Sequence, residues 1–151
     1  MSIRRATVDD ADALTRMAME FIAYTPHGAL IDIRRDELRR TVVALLETKV
    51  VVCFVAELEG ELVAMFVGAM IPIWFAPNLL MAMELAWWVD KRARGTTMSV
   101  RLLREYEQWA RANGARFITM SSLELDSGPN VCSMLARLGY APAETTHLKE
   151  A

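Results

Sequence analysis

The sequence predicts a mixed α/β fold (α+β), with helices packed on the faces of one sheet, and three observations lead there. The chain has 151 residues, 54% hydrophobic and 24% charged, enough to bury a core without disulfides or metals. Its apolar residues form strand-like runs in the middle and recur at helical spacing on either side. Gly, Pro and Asn punctuate the joints, and no linker, repeat or low-complexity stretch divides residues 1–151, so they read as a single domain.

The elements follow in order. IRRATV is a short alternating strand, and DDADALTRMAMEFIAY places Ala11, Leu14, Met17, Ala18, Phe21 and Ile22 at helical spacing behind an aspartate that can cap. After the turn-rich TPHGAL, RRDELRRTVVALLET carries Leu38, Val42, Leu45 and Leu46 on one helical face and charges on the other. VVVCFVAEL and LVAMFVGAMIP meet at the glycine turn EGE as a hairpin, and LLMAMELAWWVD is a further strand. RGTTMSVRLLREYEQWARANG puts Met98, Leu102, Leu103, Tyr106, Trp109 and Ala110 on one stripe and ends in Asn-Gly. ARFITMSSL is a strand, SGPNVCSMLARLG a short helix beginning near Pro129 and stopped by Gly139, and YAPAETTHLK a terminal strand or hairpin.

Composition narrows the function classes. A net charge of −2 gives no reason to expect nucleic acid or an anionic membrane as partner. Cys53 and Cys132 lack the Cys or His spacing of a metal site and read as buried, reduced thiols. The N-terminus turns acidic where a signal peptide needs an apolar stretch, which suits a cytoplasmic protein. Leu62 to Met83 is uncharged and long enough for a membrane span, since about 20 residues suffice; Gly68, Pro72, Pro77 and Asn78 break it into two buried strands instead.

The stretch WWVDKRARGTTMSVRLLREYEQWARANGARFITM resembles the GNAT superfamily of acyl-CoA-dependent N-acyltransferases. Family members show a strand ending in Val, then [RQ]-x-x-G-x-[GA], then Leu-Leu and a helix closing with Ala and a glycine turn. Val89, Arg94, Leu102, Leu103, Trp109, Ala110 and Gly114 stand at that spacing. IRRATVDDADAL and LARLGY resemble the family's first strand and its last helix. The resemblance implies a mostly antiparallel central sheet of six to seven strands flanked by about four helices. It also implies acetyl-CoA as co-substrate, no metal, and transfer of an acyl group to a small-molecule or peptide amine by direct attack in a ternary complex.

The residues allow a physical reading of that site. A helix start presents unpaired N–H groups and a positive dipole end to a pyrophosphate. Arg94 opens the motif, Gly95 and Thr96 fill its variable places, and Thr97 and Ser99 stand where Gly and Gly or Ala are usual. A competing register begins at Arg92, but starting at Arg94 gives Met98, Leu102 and Leu103 the buried helix positions. The Cβ of Thr97 narrows the backbone and pushes back a phosphate; alternatively the hydroxyls of Thr96, Thr97 and Ser99 cap the helix or donate to phosphate.

The resemblance puts the thioester arm along Trp87, Trp88 and Val89, where adjacent tryptophans face opposite sides of the sheet. It makes Glu84 the general base, the alternative being a structural or amine-binding carboxylate, and a one-residue uncertainty decides the face on which it lies. Asn130 resembles an asparagine that contacts the coenzyme, or simply belongs to a turn. Leu135 occupies the place of the tyrosine that many members use as general acid. The thiolate then leaves unaided, another group such as Ser133 serves, or the chain is an inactive binding or assembly module. His27 and His147 read as surface residues, and Trp74 with Phe75 is compatible with a homodimer interface.

Overall fold

The two apolar runs flanking Glu59 and Gly60 pair as antiparallel strands β2 (Val51–Leu58) and β3 (Glu61–Ile73) in a computed structural model that describes residues 2–123 and 131–151. Both turn residues have positive φ, 53° and 83°, the two-residue hairpin geometry whose twist matches its strands. Chain order continues from β1 (Ser2–Arg5) through α1 (Ala11–Ile22) and α2 (Arg35–Glu47) to this hairpin, then β4 (Ala76–Val89), α3 (Met98–Ala112) and β5 (Ala115–Thr119). A last helix, α4, spans Val131–Arg137.

The sheet order is β1-β2-β3-β4-β5, antiparallel except for the β4–β5 pair. A parallel pair needs a crossover, and α3 is that crossover. The uncharged run from Leu62 to Met83 lies in β3 and β4, and no helix among the described residues is long and apolar enough to cross a membrane.

The chain forms two compact units, Met1–Met120 and Ser121–Ala151. In the first, one sheet face packs Cys53, Val55, Met65 and Trp88 against Leu14 and Met17 of α1, with Val42 and Leu46 of α2 beside them. The other face carries Phe66, on which Tyr106 of α3 stacks at 4.5 Å. Gly68 makes that approach possible: a Cβ there would lie 2.4 Å from Tyr106 Cε2. In the second unit, α4 is followed by a turn in which the N–H of Tyr140 donates to Leu135 O, and Leu135 is buried.

Two sequence expectations change. The sheet has five strands among the described residues, not six to seven, because residues 140–151 form no strand. YAPAETTHLK contains Pro142 and offers no alternating apolar face to bury, and residues 141–151 are exposed. Cys132 is exposed rather than buried, with its Sγ 3.2 Å from Ser122 Oγ, while Cys53 is buried as expected.

Candidate active site

Strand β4 carries the site, and its shape comes from a mismatch with β3. Val67 pairs with Ala86 but Gly68 with Glu84, which leaves Leu85 as an extra residue in a bulge. The bulge also sets side-chain parity: Glu84 and Trp87, three apart, lie on one face, which resolves the one-residue ambiguity left by the sequence. Glu84, opposite Gly68, is half-buried on the face that packs on α3. Trp87 lies on that face against Phe66, ring centres 5.9 Å apart. Trp88 faces α1, against Tyr24 at 5.1 Å. The tryptophans therefore point to opposite sides, as expected.

Pairing with β5 covers only Leu80–Met83. From Glu84 onward β4 has no strand on that side among the described residues. The N–H of Asp90 donates to Val63 O in β3 at 2.8 Å. Backbone groups of successive strand residues alternate in direction, so those of Trp87 and Val89 face the open side. The bulge and the early end of β5 pairing thus leave a short edge of β4, from Trp87 to Val89, with no neighbouring strand among the described residues.

That edge runs into the turn before α3. Arg94 is extended, and Gly95 has φ 78°, a conformation that suits glycine and is surrounded by open space. Thr97 has φ −73° and ψ −2°, an unstrained backbone, so its Cβ costs nothing locally. Thr96 takes up the capping role: its Oγ1 accepts from the N–H of Met98 at 3.3 Å and donates to Ala93 O at 2.8 Å. The N–H groups of Ser99 and Val100 find no acceptor among the described residues, as a helix start leaves them. Met98 is fully buried, with Leu102 and Leu103, which supports the register beginning at Arg94.

Charge is unevenly placed. The first turns of α1 and α2 contain Asp12 and Asp36 with Glu37, whereas that of α3 contains no acid. Acids normally stabilise a helix start; the start of α3 has no such side chain in its first turn.

On the α1 side, an open cavity of about 540 Å³ lies against the same strand end, lined by Arg16, Glu20, Tyr24, Trp88, Asp90 and Lys91 among others. Asp90 is buried there, accepting from Trp88 Nε1 at 3.1 Å and facing Arg16 at 3.4 Å. Burial acts to lower the pKa of Arg16, and its bonds to Glu20 and Asp90 outweigh that, so the guanidinium is held charged. Arg94 reaches this side too, with Nε donating to Val89 O at 3.0 Å and Cζ 4.9 Å above Trp88 and 5.6 Å above Tyr24. Tyr24 and Asp90 carried no functional signal in the sequence. An aspartate directly after the strand-ending Val89 is the mark that could have found the second; Tyr24, beyond the end of a distant helix, has none.

Asn130 lies outside the described residues. Among those described, no cluster of three or more His, Cys, Asp or Glu could hold a metal. Leu135 cannot donate a proton, and His27 and His147 are exposed.

A family model described as the acetyltransferase (GNAT) family matches residues 15–140. No curated protein matches the chain. Among solved structures, the chain is similar to a transcriptional regulator from Bacillus halodurans C-125, at 19% identity and TM-score 0.78, covering 99% of this chain and 98% of that one. It is also similar to a ribosomal-protein-alanine N-acetyltransferase from Brucella melitensis biovar Abortus 2308, at 11% identity and TM-score 0.75 over 100% of both chains. A third is a predicted acetyltransferase with acetyl-CoA from Clostridium acetobutylicum, at 17% identity and TM-score 0.74, covering 98% and 95%. At such identities the likeness is one of fold.

Proposed function

The chain belongs to the acetyltransferase (GNAT) family, and on that premise we propose that it transfers an acetyl group from acetyl-CoA to a primary amine by direct attack in a ternary complex. The observation that carries this reading is the edge of β4 at Trp87–Val89, which has no neighbouring strand on one side among the described residues and is continuous with an acid-free helix start. An extended amide-bearing arm can pair with the N–H groups of Trp87 and Val89, and a pyrophosphate can accept from those of Ser99 and Val100. Gly95, with open space around it, lets the backbone approach that group.

Acetyl-CoA, when bound, supplies the thioester carbonyl that the amine attacks. Around it, the chain's own groups orient and move protons. The open β4 edge, beside the Leu85 bulge, aims a backbone N–H at the carbonyl oxygen. Glu84 takes the proton released by the attacking amine, directly or through water. Its place on the α3 face requires the amine to reach the bulge on that side. The departing thiolate is a weak enough base to leave without a protein acid and then takes its proton from solvent.

The acceptor is an amine of open identity. Neighbours named for a transcriptional regulator and for a ribosomal-protein alanine share this fold, and fold does not carry a substrate. Localisation in the cytoplasm belongs to the same proposal.

Calorimetry and thermal shift with acetyl-CoA test the reading. Binding with a rise in unfolding temperature is expected; no stabilisation at millimolar ligand would sink it. Leu135 favours a second reading, an inactive binding or assembly module. Thiol release from acetyl-CoA with any member of a panel of amino acids, polyamines, aminoglycosides and peptides would exclude it.

A further inference from the structure

We propose that Arg94 is a positioning residue whose guanidinium fastens the turn 94–97 to the ends of β4 and α1, and that it does not itself contact the coenzyme phosphates. The inference rests on the acetyl-CoA reading above for its functional meaning, but its geometry stands alone.

Arg94 spends its side chain on the α1 side of the sheet. Its Nε donates to Val89 O, the carbonyl that faces the open edge, and its Cζ lies 4.9 Å above Trp88 and 5.6 Å above Tyr24. The helix start with its open N–H groups belongs to α3, which packs on the opposite face. Arg16 and Arg92 have carboxylate partners, Asp90 with Glu20 and Glu61 respectively. Arg94 has none among the described residues, so its charge is met by two ring faces and one carbonyl.

The platform under it is itself held. Trp88 Nε1 donates to Asp90 Oδ1, Arg16 faces Asp90 Oδ2, and the Asp90 backbone ties to Val63 and Ala93. A line of contacts thus runs from α1 through Asp90 and Trp88 to Arg94 and into Gly95. Only a planar, delocalised cation with an Nε donor can stack and bond in this way; lysine supplies charge without either.

The test is acetyl-CoA calorimetry on the native chain, Arg94→Lys, Arg94→Ala, Tyr24→Ala and the Tyr24→Ala/Arg94→Ala double variant, together with amide hydrogen exchange of residues 95–100. Arg94→Lys and Arg94→Ala should each bind about tenfold more weakly, and the double variant no more weakly than Arg94→Ala. Exchange at Met98, whose N–H is held by Thr96 Oγ1, should quicken in all variants, with or without acetyl-CoA, and exchange across 95–100 should quicken in the presence of acetyl-CoA. Wild-type affinity in Arg94→Lys beside a loss in Arg94→Ala would show a point-charge contact to phosphate and overturn the proposal. Additive losses from Tyr24 and Arg94, unchanged affinity, or unchanged exchange would overturn it as well. If the native chain binds no acetyl-CoA, the coenzyme reading fails, and the exchange comparison still decides whether Arg94 holds the turn.

Discussion

Adding one methyl group at Gly68 should destabilise the protein, although alanine is ordinarily better than glycine in a strand. The new Cβ would sit 2.4 Å from Tyr106 Cε2 and 2.9 Å from Cδ2, against an optimum of about 3.5–4.0 Å for carbon pairs. Tyr106 is fully buried, stacked on Phe66 at 4.5 Å and near Trp109 at 6.0 Å, so the ring cannot swing clear. Overpacking of this kind costs about 1–3 kcal/mol, and relief of glycine's backbone entropy returns roughly 0.5–1 kcal/mol. The net loss centres on about 1 kcal/mol, which lowers the unfolding temperature of a chain this size by about 2–4 °C. Thermal unfolding followed by circular dichroism measures it. In a Tyr106→Leu background the ring is gone, and the same Gly68→Ala change should then cost little or stabilise. An equal or higher unfolding temperature in the native background, or an undiminished fall beside Leu, would refute the reasoning.

Four further outcomes are expected. Asp10 accepts two bonds from Arg4, at 2.7 and 2.8 Å, and one from the N–H of Thr7 at 2.8 Å. Asp10→Asn should therefore cost about 2 kcal/mol in urea titration. The Arg4 guanidinium, with the Thr7 N–H helping against burial, holds the Asp10 carboxyl below its usual range. Its contribution is thus complete above the unfolded carboxylate pKa and fades as pH falls through the lower folded value; the deficit of Asp10→Asn should hold steady from neutrality to about pH 4 and shrink below it. Burial pushes the Cys53 thiol up to about 12, so mass spectrometry after a brief thiol-reagent pulse should find exposed Cys132 labelled and Cys53 intact until unfolding; early Cys53 labelling would contradict its burial. Thr97→Gly, which restores the residue usual in the family, should leave the unfolding temperature nearly unchanged, since that exchange at an N-cap costs only a few tenths of a kcal/mol; a clear rise would reveal strain at Thr97. The homodimer expected from Trp74 (89% exposed) and Phe75 (71% exposed) is checked by sedimentation, where the native chain should run as a dimer and Trp74→Ser/Phe75→Ser as a monomer. A monomeric native chain would remove that expectation.

The elements of the first unit were legible because each advertises itself locally. The helical stripe of Met98, Leu102, Leu103 and Tyr106 and the Glu59-Gly60 hairpin turn name their structures within a few residues. The terminal strand was read wrongly for the complementary reason: YAPAETTHLK carries strand-compatible residues but no face worth burying. At the site, the turn 94–99 was legible as a helix start, and its register followed from the apolar stripe behind it. Its hydroxyls were not assignable from sequence, and the structure gives the cap to Thr96 while Thr97 only adopts an ordinary helical backbone.

By itself, the sequence determined the order of elements as far as α4, the opposite facing of Trp87 and Trp88, and the helix start at Met98, all consequences of spacing along one chain. Tertiary structure alone decided the bulge at Leu85, the face of Glu84, the end of β5 pairing at Met83 and the seat of Arg94 over Trp88 and Tyr24. Each of these depends on where a partner distant in sequence stops or begins. Gly68 can admit Tyr106 only when α3 crosses over it, and no local pattern records that meeting.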